Sequence, residues 1–205
     1  PHVPIEWGAF CEPISCCIRG IERAQIQLED TVIIIGAGNI GLLMVQLARA
    51  AGAGRLIVLD PLENKREIAL KVGADCVLDP FGSKLREEIH AAIGDGADVV
   101  IECVGKPQAV ELAVSLARGG GRVLLFGMCD RKDTVTLRPQ EIFYKELTLV
   151  GSILNPFTFQ KAVNLLAEGK VSVEHFAIQR FHLDNIIDAF EEKRHGEMVK
   201  SLVVP

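Results

Sequence analysis

The stretch "VIIIGAGNIGLLMVQLARA" (residues 32–50) decides the fold. A β-branched run, Val32 to Ile35, gives way at Gly36, Gly38, Asn39 and Gly41 to residues that favour a helix. Thr31 to Ala48 carries no charge and would pass for a membrane span on hydropathy alone. The interrupting glycines make it a buried strand followed by a buried helix instead. Those glycines read G-x-G-x-x-G, and an acid, Asp60, closes the next strand 19 residues after Gly41. This is the spacing of a dinucleotide site. Gly36 permits the tight turn, Gly38 leaves room for a pyrophosphate against the helix amides, and Gly41 lets helix and strand pack closely. A glycine turn in an unrelated α/β fold is the plain alternative. Asp60 can accept hydrogen bonds from both adenosine ribose hydroxyls, and its charge would repel a 2′-phosphate, which favours NAD over NADP. Lys65 and Arg66 follow closely and can lend positive charge, and an acid at a strand end can also be merely solvated.

The same strand–helix rhythm continues outward. Apolar strands are predicted at "TVIII" (31–35), "RLIVLD" (55–60), "DCVLD" (75–79), "DVVIEC" (98–103), "RVLLFG" (122–127) and "LTLVGSI" (147–153). Their hydrophobicity is continuous, as burial on both faces of a parallel sheet requires. Between them "NIGLLMVQLARAAG", "ENKREIALKVG", "SKLREEIHAAIG" and "KPQAVELAVSLARGG" are predicted helices, each closing on a glycine cap. Pro107 suits a first helical turn. Six strands with crossover helices predict an α/β, Rossmann-type doubly wound six-stranded parallel sheet. A methyltransferase shares much of this pattern, but the full G-x-G-x-x-G and the sixth strand with its returning helix argue against one.

The chain's 205 residues are 49% hydrophobic and 24% charged, with a net charge of −5, which is a globular composition without a basic footprint for nucleic acid. Six cysteines form no C-x-x-C pair, so neither a zinc knuckle nor a disulfide framework is visible. Reduced thiols in a cytoplasmic protein are expected. No signal peptide is seen, and "PHVPIEW" at the start has neither helix cap nor strand pattern. That start has the look of a cut end, so a fragment or processed product is expected. At the other end, "FAIQRFHLDNIIDAFEEKRHGEMVKSLVVP" reads strand, helix, strand, with apolar positions that need a surface outside the main sheet. The five histidines (His2, His90, His175, His182, His195) are scattered and none is followed by glutamate; His90 and His195 read as helix-face or helix-end residues and His182 as a loop residue.

"EPISCCIRGI", "VIIIGAGNIGLLMVQLARAAGAGRLIVLD", "GADCVLDP", "DVVIECVG", "GGGRVLLFGM" and "LTLVGSI", in this order, resemble the medium-chain zinc-dependent alcohol and polyol dehydrogenases, closest to the sorbitol dehydrogenase-like branch. The resemblance covers nearly the whole chain. It implies a coenzyme domain over 16–168, a remnant of a GroES-like catalytic domain over 1–15, and a return into that domain over 169–205. It also implies NAD contacts beyond Gly36, Gly38, Asn39, Gly41 and Asp60. Ile40 would lie over the cofactor and Lys65 near the adenosine ribose. "ECVG" (Glu102 to Gly105), Cys103 and Val104 among it, would form a loop against the cofactor. Phe126, Gly127 and Met128, with Ser152, Ile153 and Leu154, would hold the nicotinamide amide through backbone groups. All these segments sit at C-terminal strand ends, where open α/β sheets bind ligands; apolar strand ends are the bland alternative.

The resemblance gives "GAFCEP" (8–13) a meaning. The matching family position supplies a late ligand of catalytic zinc, and here Glu12 takes it, with Pro13 fixing the backbone beside it. Cys11 can ligate instead, or Glu12 can be a solvated turn residue. The family's other ligands, a cysteine and a His-Glu pair, have no counterpart, and one carboxylate does not make a zinc site. The expected activity is NAD-dependent, zinc-assisted oxidation of a secondary alcohol, a polyol or sugar, with this chain alone inactive. A zinc-free quinone or enoyl reductase and a non-catalytic NAD-binding module are the rivals. The resemblance implies a homodimer or tetramer, with "TVTL" (134–137) as a short edge strand that pairs across the two-fold axis; an edge covered by its own loop "CDRKD" (129–133) is the plain alternative.

Overall fold

The central strand β1 (Thr31–Ile35) pairs in parallel with β2 (Arg55–Leu59) on one side and β4 (Ala97–Glu102) on the other. It is buried on both faces. In the computed structural model, which describes residues 3–176, 178–192 and 200–205, Val32 and Ile34 point into one apolar cluster and Ile33 and Ile35 into another. Alternation along a pleated strand sends successive side chains to opposite faces, so both faces need helices. Leu42, Leu43 and Val45 of α2 (Asn39–Ala50) cover the first face. Leu85 and Ile89 of α4 (Leu85–Ile93) and Ala113 and Val114 of α5 (Pro107–Leu116) cover the second. Burying each such isoleucine or leucine stabilises by about 1.5–3 kcal/mol.

Adding β3 (Cys76–Leu78), β5 (Ala117–Leu125) and β6 (Thr148–Gly151) gives the order β3-β2-β1-β4-β5-β6. The predicted six-stranded doubly wound sheet is present. Its chain reversal lies between β1 and β4, the switch point where such sheets bind ligands. α3 (Glu63–Lys71) connects β2 to β3, and α7 (Phe159–Ala167) follows β6.

Several local expectations are corrected. Glycines with positive φ follow α2, α3 and α4 at Gly52, Gly73 and Gly94, but α5 stops earlier. Ala117 is already extended and pairs with Ala97, followed by a register shift before Val99 meets Arg122. The "TVTL" segment is not a strand: its Thr136 amide donates to Glu111 Oε1 at 2.7 Å, leaving β6 as the sheet edge. A helix that the sequence reading did not propose, α6 (Pro139–Tyr144), follows it. His182 closes β7 (Ile178–His182) rather than lying in a loop, whereas His90 sits in the last turn of α4. His2 and His195 lie outside the described residues.

"PHVPIEW" leads into a 3-10 helix, Ile5–Phe10, and directly into α1 (Cys11–Ala24), both unassigned in the sequence reading. The boundary drawn between 15 and 16 falls inside α1. Its buried positions Cys11, Ile14, Cys17 and Ile18 follow helical spacing and join the core beneath α2. Past the sheet, β7 and β8 (Lys200–Val204) form a separate two-stranded parallel sheet with α8 (Ile186–Glu192) beside it. This unit meets the chain's start. Phe10 packs edge-to-face on Phe176 at 5.7 Å, Lys200 Nζ lies 5.5 Å from the Phe10 ring, and Arg180 pairs with Glu6.

Candidate cofactor-binding cleft

The turn from β1 into α2 is shaped by its glycines. Gly36 has φ +99°, a left-handed region that side chains rarely adopt. A Cβ on Gly41 would lie 1.8 Å from the Gly36 carbonyl oxygen, so only glycine allows the helix to start this close to the strand. Gly38 is different: a Cβ there would meet nothing within 4 Å. The space above it is open, and no side chain caps the amides of α2. The residues fit a pyrophosphate, whose charge would be met by the helix N-terminus.

Asp60 follows β2 and is buried rather than solvated. Its Oδ2 accepts from the Ala37 amide at 2.8 Å and its Oδ1 from the Leu62 amide at 2.9 Å. Each oxygen keeps a further lone pair for a ribose hydroxyl. The Arg66 guanidinium donates to the carbonyls of Asp60 and Pro61 at 2.7 and 2.8 Å, which holds its charge beside this strand end. Asp60, Gly36, Lys65, Val104 and Lys106 line a pocket of about 610 Å³, bounded by Phe81 and Leu112. An adenosine fits its mixture of apolar walls and one acid.

Across the sheet's C-terminal edge lies a second cleft of about 510 Å³. It brings together Glu12, Cys16, Ile40, Phe126 to Met128 and Ser152 to Leu154, segments far apart in sequence. The buried Ser152 hydroxyl and the Asn39 Oδ1 have no hydrogen-bond partner among the described residues, and the former lies in this cleft. An unpaired buried polar atom is costly unless something fills the cleft and bonds to it. The structure thus groups the predicted residues into two pockets flanking the glycine turn. Cys103 stands apart: it is half-buried, desolvation and then Glu102 push its thiol pKa far up, and its amide donates to Ile35 O at 3.0 Å.

Glu12 is in the first turn of α1, not in a loop, and its Oε1 accepts from the Cys16 thiol at 3.1 Å. Burial, and then this bond, push the Cys16 thiol up to about 11. Cys11 is buried, with its pKa raised by desolvation. Among the described residues no three His, Cys, Asp or Glu side chains come together to hold a metal ion. These residues do not make a zinc site by themselves.

A hydrogen-bond chain absent from the sequence reading locks the cleft's walls together. The Thr158 hydroxyl donates to Ser15 O at 2.7 Å, Asn155 Nδ2 donates to Ser15 Oγ at 2.6 Å, and that hydroxyl donates to Glu12 O at 2.6 Å. The turn of α1 that carries Glu12 is therefore tied to the loop after Leu154. A polar Ser15 on the buried face of an amphipathic helix was the available signal.

With this geometry in place, comparison with known proteins is decisive. The family described as zinc-binding dehydrogenase matches residues 39–168. The chain belongs to the zinc-binding dehydrogenase family. Within it, the chain is 33% identical to a sorbitol dehydrogenase of Arabidopsis thaliana over 95% of this chain and 55% of that one. An erythritol/L-threitol dehydrogenase of Mycolicibacterium smegmatis is 32% identical over 100% of this chain and 57% of that one. A Sinorhizobium meliloti structure, assigned as a zinc-binding dehydrogenase and bound to NADP, superposes with a TM-score of 0.91 at 39% identity, covering 97% of this chain and 59% of that one. An Escherichia coli CFT073 structure described as a short chain alcohol dehydrogenase, complexed with NADH, gives 0.90 at 25% identity, covering 99% and 60%. The chain thus spans 55 to 57% of the length of these two curated relatives. These relatives place it in an alcohol and polyol dehydrogenase enzyme family. No helix of the described residues is long and apolar enough to cross a membrane, and all six cysteines are free thiols.

Proposed function

We propose that the chain is the NAD-binding part of a cytoplasmic dehydrogenase that oxidises a secondary alcohol, a polyol or sugar. One observation carries the reading: two clefts flank the glycine turn along the C-terminal edge of the sheet, one with Asp60 and one with Glu12. Asp60 would accept from the adenosine ribose, the amides of α2 would take the pyrophosphate, and Ile40 with the 126–128 and 152–154 segments would hold the nicotinamide. The nicotinamide, when bound, supplies the hydride acceptor. The chain's own residues would bind and orient it. Asp60 favours NAD, and Lys65 with Arg66 moderates the preference.

Zinc belongs to the proposal only through Glu12, which lies in the same cleft as the nicotinamide loops. A single donor cannot hold the ion, so no step is assigned to it here. The donor set favours a second reading for this chain taken alone, a non-catalytic dinucleotide-binding module. For assembly we keep a dimer, with β6 rather than "TVTL" as the available edge. The domain division 1–15, 16–168 and 169–205 stands as a proposal, supported by the contacts that join Phe10 to Phe176 and Glu6 to Arg180.

Fluorescence titration tests the central claim. NADH is expected to bind at least about tenfold more tightly than NADPH, about 1.4 kcal/mol. Equal affinities would remove the NAD preference, and absence of binding would remove the function. Assays with sorbitol, xylitol and simple secondary alcohols plus zinc are expected to show no turnover by the chain alone; zinc-dependent turnover would refute the module reading.

A further inference from the structure

Glu102 is a fully buried carboxyl group at the end of β4, in the middle of the sheet's C-terminal edge. Burying a carboxyl group is costly unless it is hydrogen-bonded, and its Oε2 has no partner among the described residues. The hydrogen bonds explain the acid. Oε1 accepts from the amides of Val104 and Gly105 at 2.6 and 2.7 Å, the short lengths of bonds to a charged acceptor. The main-chain carbonyl of the same residue accepts from the amides of Phe126 and Gly127 at 3.0 and 2.8 Å. One residue therefore grips two loops, one lining the Asp60 pocket through Val104 and the other lining the Glu12 cleft.

The loops meet over that grip. A Cβ on Gly127 would lie 2.2 Å from the Gly105 nitrogen and 2.7 Å from Glu102 Oε2. Gly105 has φ +71°, and a Cβ there would lie 2.6 Å from Met128 O. Both glycines are needed because the loops are drawn into backbone contact. Burial raises the carboxyl's pKa while the amides of Gly105, Val104 and Gly127 oppose that rise, as expected of a group kept in place by its acceptor role.

We propose that Glu102 is a positioning residue for the cofactor, setting the separation of the 103–105 and 126–128 loops and so the distance between the two halves of the dinucleotide site. The inference rests on the dinucleotide reading above. It assigns a function to an acid that does not face either cleft.

Two measurements on the 205-residue chain test it. Amide hydrogen exchange is expected to show Val104 and Gly105 protected in the wild type, exchanging about tenfold or more faster in Glu102→Ala and near wild type in Glu102→Gln, which keeps the acceptor oxygen. NADH titration is expected to show affinity lowered at least about tenfold by Glu102→Ala, about 1.4 kcal/mol, and by less than about threefold in Glu102→Gln. Solvent-rate exchange of both amides in the wild type overturns the clamp, a result that needs no variant to fold. So does Glu102→Ala binding NADH like the wild type, or Glu102→Gln losing as much as Glu102→Ala. If the wild type does not bind NADH, the dinucleotide reading fails, and exchange alone judges whether Glu102 holds the loops.

Discussion

The Asp60 carboxylate accepts a hydrogen bond from the Ala37 amide at 2.8 Å, which makes the acid and the glycine turn one structural unit. The residue expected to recognise a ribose also braces the loop expected to hold the pyrophosphate. Asp60→Ala is therefore expected to act twice. It narrows the NADH-over-NADPH preference, and it leaves the buried Ala37 amide and the part-buried Leu62 amide without that acceptor, at about 1–3 kcal/mol. At about 2–4 °C per kcal/mol for a chain of this size, the melting temperature falls by roughly 2–12 °C. Cofactor titration and a thermal melt read the two effects separately.

Gly38 and Gly41 are expected to respond differently to the same substitution. Gly38→Ala meets open space in the fold, so the melting temperature stays within the range of a surface change, about 0.5 kcal/mol. Its methyl enters the space proposed for the pyrophosphate, and NADH affinity is expected to fall about tenfold or more. Gly41→Ala must displace the Gly36 carbonyl and is expected to cost about 1–3 kcal/mol of stability whether or not cofactor is present. A Gly38→Ala chain that binds NADH normally would count against the site.

Thr158→Val removes the buried hydroxyl that donates to Ser15 O while keeping the side chain's shape. The loss is expected to be about 1–3 kcal/mol, since the Ser15 carbonyl is left without that donor. Faster amide exchange should appear in the 152–157 loop and at the start of α1 together. Exchange confined to one of them would show that the two walls of the cleft are not coupled.

Acid is expected to loosen the contact between the chain's start and its end. The hydrogen bond from Arg180 holds the Glu6 carboxyl below its ordinary 4.5. A carboxylate whose pKa is depressed by folding contributes stability above its unfolded value, and that contribution is lost as pH falls through the folded one. Amide exchange at residues 5–10 and 178–182 should therefore rise as pH is lowered below about 4.5, beyond the intrinsic pH dependence of exchange. Glu6→Gln should abolish the excess. An unchanged profile in Glu6→Gln would mean that the pair does not hold these segments.

Sedimentation equilibrium at micromolar concentration checks assembly. A dimer is expected; a clean monomer mass would rule it out.

The six-stranded parallel sheet and its burial on both faces were legible in the residues from Thr31 to Gly151, because a parallel strand buried on both faces writes an uninterrupted apolar run into the chain. The glycine turn was legible for a similar reason: its steric demands fall on backbone positions that only one residue type satisfies. Local chemistry therefore determined the strands, four of the five crossover helices and the glycine turn, while α6 was missed. Other features depended on partners remote in sequence. The loop after Leu154 meets α1 through Thr158 and Ser15, 143 positions apart. "TVTL" has strand-like composition, but Thr136 bonds to Glu111 and no neighbouring strand is there to pair with it. Ala117 has helix-forming neighbours, yet pairing with Ala97 draws it into β5. The resemblance put Glu102 in the "ECVG" loop, but its bonds to the amides of Val104, Gly105, Phe126 and Gly127 appear only in the folded chain. Hydrogen bonds between distant segments repay their ordering only once the whole sheet has brought them together, so tertiary structure alone decided where the cleft's walls stand.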